Sequence, residues 1–110
     1  MTTGLTTIIY PVQDLARAKT LYTTLLGAEP VMDAPYYVGY RIGTQDVGLD
    51  PNSPTAGPVG YWNVDDIEHS VQELLAAGAT VQRPVSDVGG GKLVATVQDL
   101  DGNLVGLIQA

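Results

Sequence analysis

Two stretches decide the fold: Val12 to Pro30, VQDLARAKTLYTTLLGAEP, and Val64 to Gln82, VDDIEHSVQELLAAGATVQ. Laid on one another they share one pattern. Val12 and Val64 lie 52 residues apart, as do Asp14 and Asp66, and Leu15 and Ile67. Gly27 and Gly78 lie 51 apart, so the second helix is one residue shorter. Further along, Val47-Gly48-Leu49 echoes Val105-Gly106-Leu107 at an offset of 58. Neither half is large enough to bury an apolar face well alone, which is the physical reason to expect a tandem pair.

Each half predicts one strand, one helix and three shorter strands. Thr6 to Val12 is β-branched and apolar, as a buried strand requires. Asp14 stands at the N-cap position, where a carboxylate accepts backbone N–H groups that have no helical partner. Leu15, Ala18, Tyr22, Leu25 and Leu26 follow at helical spacing, and Gly27 ends the helix. Strands are expected near 29–33, 36–43 and 46–50. Pro51 to Pro58, PNSPTAGP, is an extended linker. In the second half Val59 to Val64 is the strand and Asp66 the cap, with Asp65 an alternative. Ile67, Val71, Leu74 and Leu75 form the buried face, and Gly78 is the stop. Strands near 79–85, 92–98 and 103–109 complete it, with Asp101-Gly102-Asn103 as a hairpin signal. The expected architecture is α+β: residues 1–110 as one domain, with modules about 1–50 and 59–110 joined by 51–58, each βαβββ.

Composition narrows the function. Five cations (Arg17, Lys19, Arg41, Arg83 and Lys92) face twelve carboxylates, giving net charge −7. A phosphate backbone is repelled on average, and no basic cluster offers an exception, so neither nucleic acid nor an anionic membrane is an expected partner. No apolar run reaches the ~18–20 residues of a membrane span, and no secretory signal is visible in MTTGLTTIIYPVQDL. The absence of cysteine removes disulfides, thiolate nucleophiles and cysteine metal sites, and fits a cytoplasmic location.

VQDLARAKTLYTTLLG, VDDIEHSVQELLAAGA and the Asp99–Asn103 turn D-L-D-G-N, in that order and spacing, resemble the vicinal oxygen chelate superfamily. That superfamily includes glyoxalase I, extradiol dioxygenases and the bleomycin- and fosfomycin-resistance proteins. The resemblance covers essentially the whole chain. It implies curved mixed sheets whose paired modules enclose a cleft. It also implies a homodimer with modules paired across chains, pairing within one chain being the alternative.

Catalytic members of that superfamily hold a divalent metal with His, Glu or Gln from the first and last strands of each module. The corresponding positions here are Thr7, Gly48, Val59 and Gly106. Glycine and valine offer no side-chain donor, and one threonine hydroxyl is a weak ligand. Shifting the register by one residue finds Ile8, Leu49, Gly60 and Val105, which are no better. Only Asp46 or Asp50 could bring a carboxylate. No metal, no cofactor and no catalytic residue is therefore expected. The only histidine, His69, falls in the first turn of the second helix and is expected at the surface. Gly89-Gly90-Gly91 lacks the GK[ST] and following helix of a phosphate loop, so it reads as a flexible loop able to cover a ligand.

What remains is a cleft without a metal. If Thr7 and Val59 point inward, as the resemblance implies, period-2 alternation turns Ile9, Pro11, Tyr61 and Asn63 the same way, with Gly48, Gly106 and Ile108 from the last strands. Tyr37 and Tyr40 add aromatic faces, as does Tyr36. The two glycines admit two readings: room for a flat ligand close to the backbone, or tight packing under neighbouring side chains. The expected function is metal-independent binding of a planar or aromatic small molecule, an antibiotic among the candidates. The alternative is a metal-dependent lyase or dioxygenase with Asp46 or Asp50 as unusual ligands. A scaffold that only assembles is the third reading.

Overall fold

The computed structural model describes Thr2–Ala110. Its elements run β1 (Thr2–Pro11), α1 (Leu15–Leu26), β2 (Met32–Ala34), β3 (Tyr37–Ile42), β4 (Gln45–Asp50), β5 (Val59–Val64), α2 (Ile67–Ala76), β6 (Thr80–Asp87), β7 (Leu93–Gln98) and β8 (Leu104–Gln109). This is the expected α+β order, with one helix and four strands per half. No helix among the described residues is long and apolar enough to cross a membrane. The chain divides into two compact units, Thr6–Val59 and Gly60–Ala110, the second taking in the start of the chain through Leu5.

In the first unit the strand order is β2-β3-β4-β1. β1 and β4 are parallel, while β4, β3 and β2 are antiparallel, so the sheet is mixed. The parallel register sets Thr7 beside Asp46, Ile9 beside Gly48 and Pro11 beside Asp50. Val38, Tyr40, Val47 and Leu49 are buried on the opposite face, where Tyr10, Leu15, Ala18, Tyr22 and Leu26 pack on them. The Tyr10 and Tyr22 rings lie 4.9 Å apart, tilted by 36°. Burial raises the Tyr22 hydroxyl above its usual pKa, and Tyr10 adds to the effect.

Helix α1 begins where Asp14 Oδ1 accepts the Arg17 N–H at 3.1 Å and ends where Gly27 turns left-handed at φ 64°. One expectation for α1 fails. Leu25 is 70% exposed, because it lies about 100° around the helix from Leu26, on the solvent side. β2 is also shorter than the sequence suggests. Pro30 and Pro35 flank it without N–H groups to donate, and only Met32–Ala34 pair with β3.

In the second unit the order is β5-β8-β7-β6, with the start of β1 beside β5. β1 begins at Thr2 rather than near Thr6. The Thr2 hydroxyl donates to the Asn63 carbonyl at 2.7 Å, and Asn63 Nδ2 donates to Thr3 Oγ1 at 3.0 Å. β5 and β8 are parallel and set Tyr61 beside Gly106 and Asn63 beside Ile108. Val64, Ile67, Val71, Ala95 and Leu107 form the core under α2.

The α2 N-terminus is held twice: Asp66 Oδ1 accepts the His69 N–H at 3.1 Å, and Gln109 Oε1 accepts the Ile67 N–H at 2.8 Å. Gly78, at φ 113°, follows its last turn. β6 carries Pro84 and two register shifts against β7. In the β7–β8 turn the Asp99 carboxylate accepts N–H groups from Asp101 and Asn103 and the Asn103 side-chain amide, at 2.8–2.9 Å. Those bonds hold Asp99 below the ordinary carboxylate range, the Asn103 amide being the largest cause.

Candidate functional site

Most of the residues expected to face a ligand form two sets, one on the helix-free sheet face of each unit, with Tyr40 and Val59 as exceptions. The shared register of the two units supports the internal alignment. Ile9 pairs with Gly48 in one unit and Tyr61 with Gly106 in the other, so equivalent positions meet in both.

On the first unit's open face, cross-strand pairing places Gly39 directly opposite Gly48, and Arg41 opposite Asp46. Both glycines are buried. A Cβ on Gly48 would stand 2.0 Å from Tyr37 Oη and 2.6 Å from Ile9 Cδ1. A Cβ on Gly39 would stand 3.2 Å from Tyr37 Cε2. The Tyr37 side chain therefore runs across both glycines, with Ile9 beside its hydroxyl. On the second unit's open face a Cβ on Gly106 would meet Tyr61 Cδ2 at 2.6 Å and Cγ at 2.7 Å. Of the two readings of Gly48 and Gly106, tight packing under neighbouring side chains is the one found. The side chain absent from each glycine is replaced by a tyrosine.

The other expected residues divide. Thr7 is half-buried beside Asp46. Ile108 is half-buried beside Asn63, whose amide is engaged by Thr3. Val59 is only 2% exposed and presents no accessible surface. Tyr40 corrects the expectation outright, being 1% exposed and pointing to the helix side. Its hydroxyl meets Thr23 Oγ1 at 2.7 Å and donates to the Lys19 carbonyl at 3.1 Å. Strand alternation explains this: Tyr40 pairs with Val47, one step out of phase with the Gly39–Gly48 pair. Tyr36 lies outside the strands and is 62% exposed.

The divalent metal implied by the resemblance does not fit these residues. The four aligned positions supply one hydroxyl, and both spare carboxylates are engaged. Asp46 Oδ1 is ion-paired with Arg41 Nη1 at 3.0 Å. Asp50 Oδ1 accepts the Asn52 N–H at 2.8 Å, opening the linker. Among the described residues no three His, Cys, Asp or Glu side chains are grouped to hold a metal ion. His69 is on the surface of α2, with Nε2 at 2.7 Å from Glu73 Oε1 one turn on.

Gly89, Gly90 and Gly91 all take positive φ in the β6–β7 turn, and no helix follows. A shallow depression of ≈ 440 Å³ lies on the outer face of α1, lined by Arg17, Thr20, Leu21 and Thr24. It shares no residue with either sheet face.

Known proteins fit this geometry. The structure is similar to a glyoxalase/bleomycin resistance protein/dioxygenase superfamily member from Vibrio splendidus 12B01, with TM-score 0.72 and 21% identity over 94% of this chain and 95% of that one. It is similar to a hypothetical protein from Bacillus halodurans C-125, with TM-score 0.77 and 20% identity over 96% and 93%. It is also similar to methylmalonyl-CoA epimerase from Mycobacterium tuberculosis, with TM-score 0.77 and 18% identity over 98% and 88%. At these identities the likeness is one of fold. No curated protein matches the chain in sequence. The family model described as Glyoxalase/Bleomycin resistance protein/Dioxygenase superfamily matches residues 4–107. The chain belongs to the glyoxalase/bleomycin resistance protein/dioxygenase superfamily.

Proposed function

We propose that this superfamily member is a metal-independent small-molecule binding protein, taking up a planar or aromatic compound of the antibiotic type. One observation carries the reading. At Thr7, Gly48, Val59 and Gly106, where the resemblance leads us to expect metal donors, only one hydroxyl is offered, and the two glycines are overlaid by Tyr37 and Tyr61. An aromatic surface replaces a donor set, which suits stacking and apolar burial. The cysteine-free sequence is in keeping with a cytoplasmic location. The reading includes a homodimer: exposed Leu21 and Leu25 on α1, and Val31, Met32 and Tyr36 near β2, offer apolar surface for association. Light scattering at high micromolar concentration would find a dimer, and a monomer there would refute that part.

The test of function has two arms. A thermal-shift screen of planar aromatic metabolites and antibiotics should find compounds that raise Tm in proportion to the logarithm of their concentration. Metal analysis of the purified protein, with calorimetric titration of Zn, Mn, Ni and Fe, should find no stoichiometric tight site. Tight binding of one metal per chain would overturn the proposal.

A further inference from the structure

We infer that Arg83, with Gln82 beside it, forms a recognition site for the carboxylate of a small monoanionic organic acid. Both residues lie on β6, inside the unit Gly60–Ala110. The pairing of β6 with β7 slips between Val81 and Arg83 and again between Arg83 and Ser86. Arg83 holds its register between the two slips, opposite Thr96. Such breaks re-aim the side chains next to them. Thr96 shares a ladder row with Gly106 and Tyr61, so cross-strand pairing sets Arg83 on the helix-free face.

Thr96 is 2% exposed, and its hydroxyl donates to Gln82 Oε1. That bond uses the acceptor end of the Gln82 amide and leaves Nε2 with its N–H groups to give. Arg83 is half-buried, yet among the described residues no oxygen accepts from its guanidinium. Acceptors are plentiful, with twelve carboxylates to five cations. Lys19 and Arg41 are paired with Asp33 and Asp46, while Arg17 and Lys92 are exposed and keep their water. Arg83 has given up part of its hydration without an acceptor in exchange, a cost that an incoming anion removes.

The planar guanidinium fork matches a carboxylate with two parallel bonds, and the Gln82 amide is a further donor beside it. One cation in a chain of net charge −7 suits a single negative charge, because a dianion meets more repulsion than Arg83 alone offsets. The next ladder row on this face carries Ser86, Val94 and Ile108, which sets apolar atoms beside the charged position for the acid's hydrocarbon part. The site stands apart from the tyrosine-covered glycine. β6 is the outer strand, two strands from β8 and three from β5, roughly 10 and 14 Å at the usual strand spacing. It does not rest on the binding proposal above, and either can fail alone.

The experiment titrates the full chain with sodium hexanoate at pH 7 and fixed ionic strength, following the Arg83 Nε–H and the Gln82 side-chain amide by NMR. Both signals should shift together and saturate. Hexanamide, the neutral isostere, should give no saturable shift, and phosphate should bind more weakly than hexanoate. Arg83→Gln, read at the Gln82 amide, should weaken hexanoate about 10- to 100-fold, the range of a hydrogen bond to a charged group. Arg83→Lys keeps the charge without the fork and should fall between. Gln82→Glu keeps an acceptor for Thr96 and gives Arg83 a carboxylate of its own, so it should abolish binding. Backbone amide spectra verify that each variant is folded. Hexanamide binding as tightly as hexanoate would overturn the carboxylate preference. Phosphate binding more tightly would overturn the preference for a monoanion. Wild-type shifts that never saturate, or wild-type affinity in any folded Arg83 or Gln82 variant, would overturn the site and leave Arg83 a solvated side chain only.

Discussion

Tyr40 offers the sharpest check of which side chains belong to the core and which to the open sheet face. Its hydroxyl is buried with two partners, Thr23 Oγ1 at 2.7 Å and the Lys19 carbonyl at 3.1 Å. Tyr40→Phe keeps the ring and removes both bonds. A buried hydrogen bond contributes about 0.5–1.5 kcal/mol net. Thr23 sits on a half-buried stretch of α1, so its hydroxyl can find another partner, whereas the Lys19 carbonyl keeps its helical bond. The expected loss is therefore about 1–2 kcal/mol rather than the full sum. For a chain near 100 residues that is a fall in Tm of about 5–10 °C.

Urea denaturation of the wild type, Tyr40→Phe, Thr23→Val and the double variant measures it. The cycle should show a coupling of about 0.5–1 kcal/mol between the two hydroxyls. Tyr36→Phe, on an exposed side chain, is the control and should be neutral. A Tyr40→Phe variant as stable as the wild type would refute the core placement. So would one that loses ligand binding with no loss of stability.

The remaining predictions concern caps and turns. Gly27→Ala forces a side chain into φ 64° and should cost about 1–2 kcal/mol by urea denaturation, whereas Gly57→Ala, with open space around it, should be close to neutral. Gln109→Leu removes the acceptor of the Ile67 N–H; it should cost about 1 kcal/mol and speed hydrogen exchange at that amide. Asp99 is held below its ordinary value of 3.8, so the folded chain favours the carboxylate. The turn's contribution is then present at neutral pH and lost as pH falls through the native pKa. The stability gap between wild type and Asp99→Ala should be constant above pH ~5 and shrink in acid, and an NMR titration should place Asp99 below its unfolded value.

The sequence carried much of the architecture because its signals were local. Asp14 and Asp66 cap the helices they precede, and Gly27 and Gly78 end them, since each acts on its own turn. The duplication also located equivalent positions correctly, because matching registers repeat in both units. What the sequence did not reveal depended on neighbours far along the chain. The inward set was read by alternation within β1, β5 and β8, but Tyr40 belongs to β3. Its phase is fixed by pairing with Val47, which no single-strand pattern shows. The covering of Gly48 by Tyr37 depends on the register of β3 on β4, which neither strand shows alone. Gly39, the second glycine under that ring, was the available clue, lying two residues from Tyr37 and so on the same strand face. Gln109 as a second cap on α2 spans 42 residues and leaves no local trace.

The shape of β6 bears on how copies of this chain can meet. β6 is the outer strand of its sheet and runs for eight residues, long enough to recruit a strand from another molecule. Yet Pro84 withholds one N–H, and two breaks in register bend the line of the others. The other border strand, β2, is only three residues long. Neither border presents the straight row of donors and acceptors that strand-by-strand polymerisation needs. The pattern disfavours growth by strand addition at these two strands.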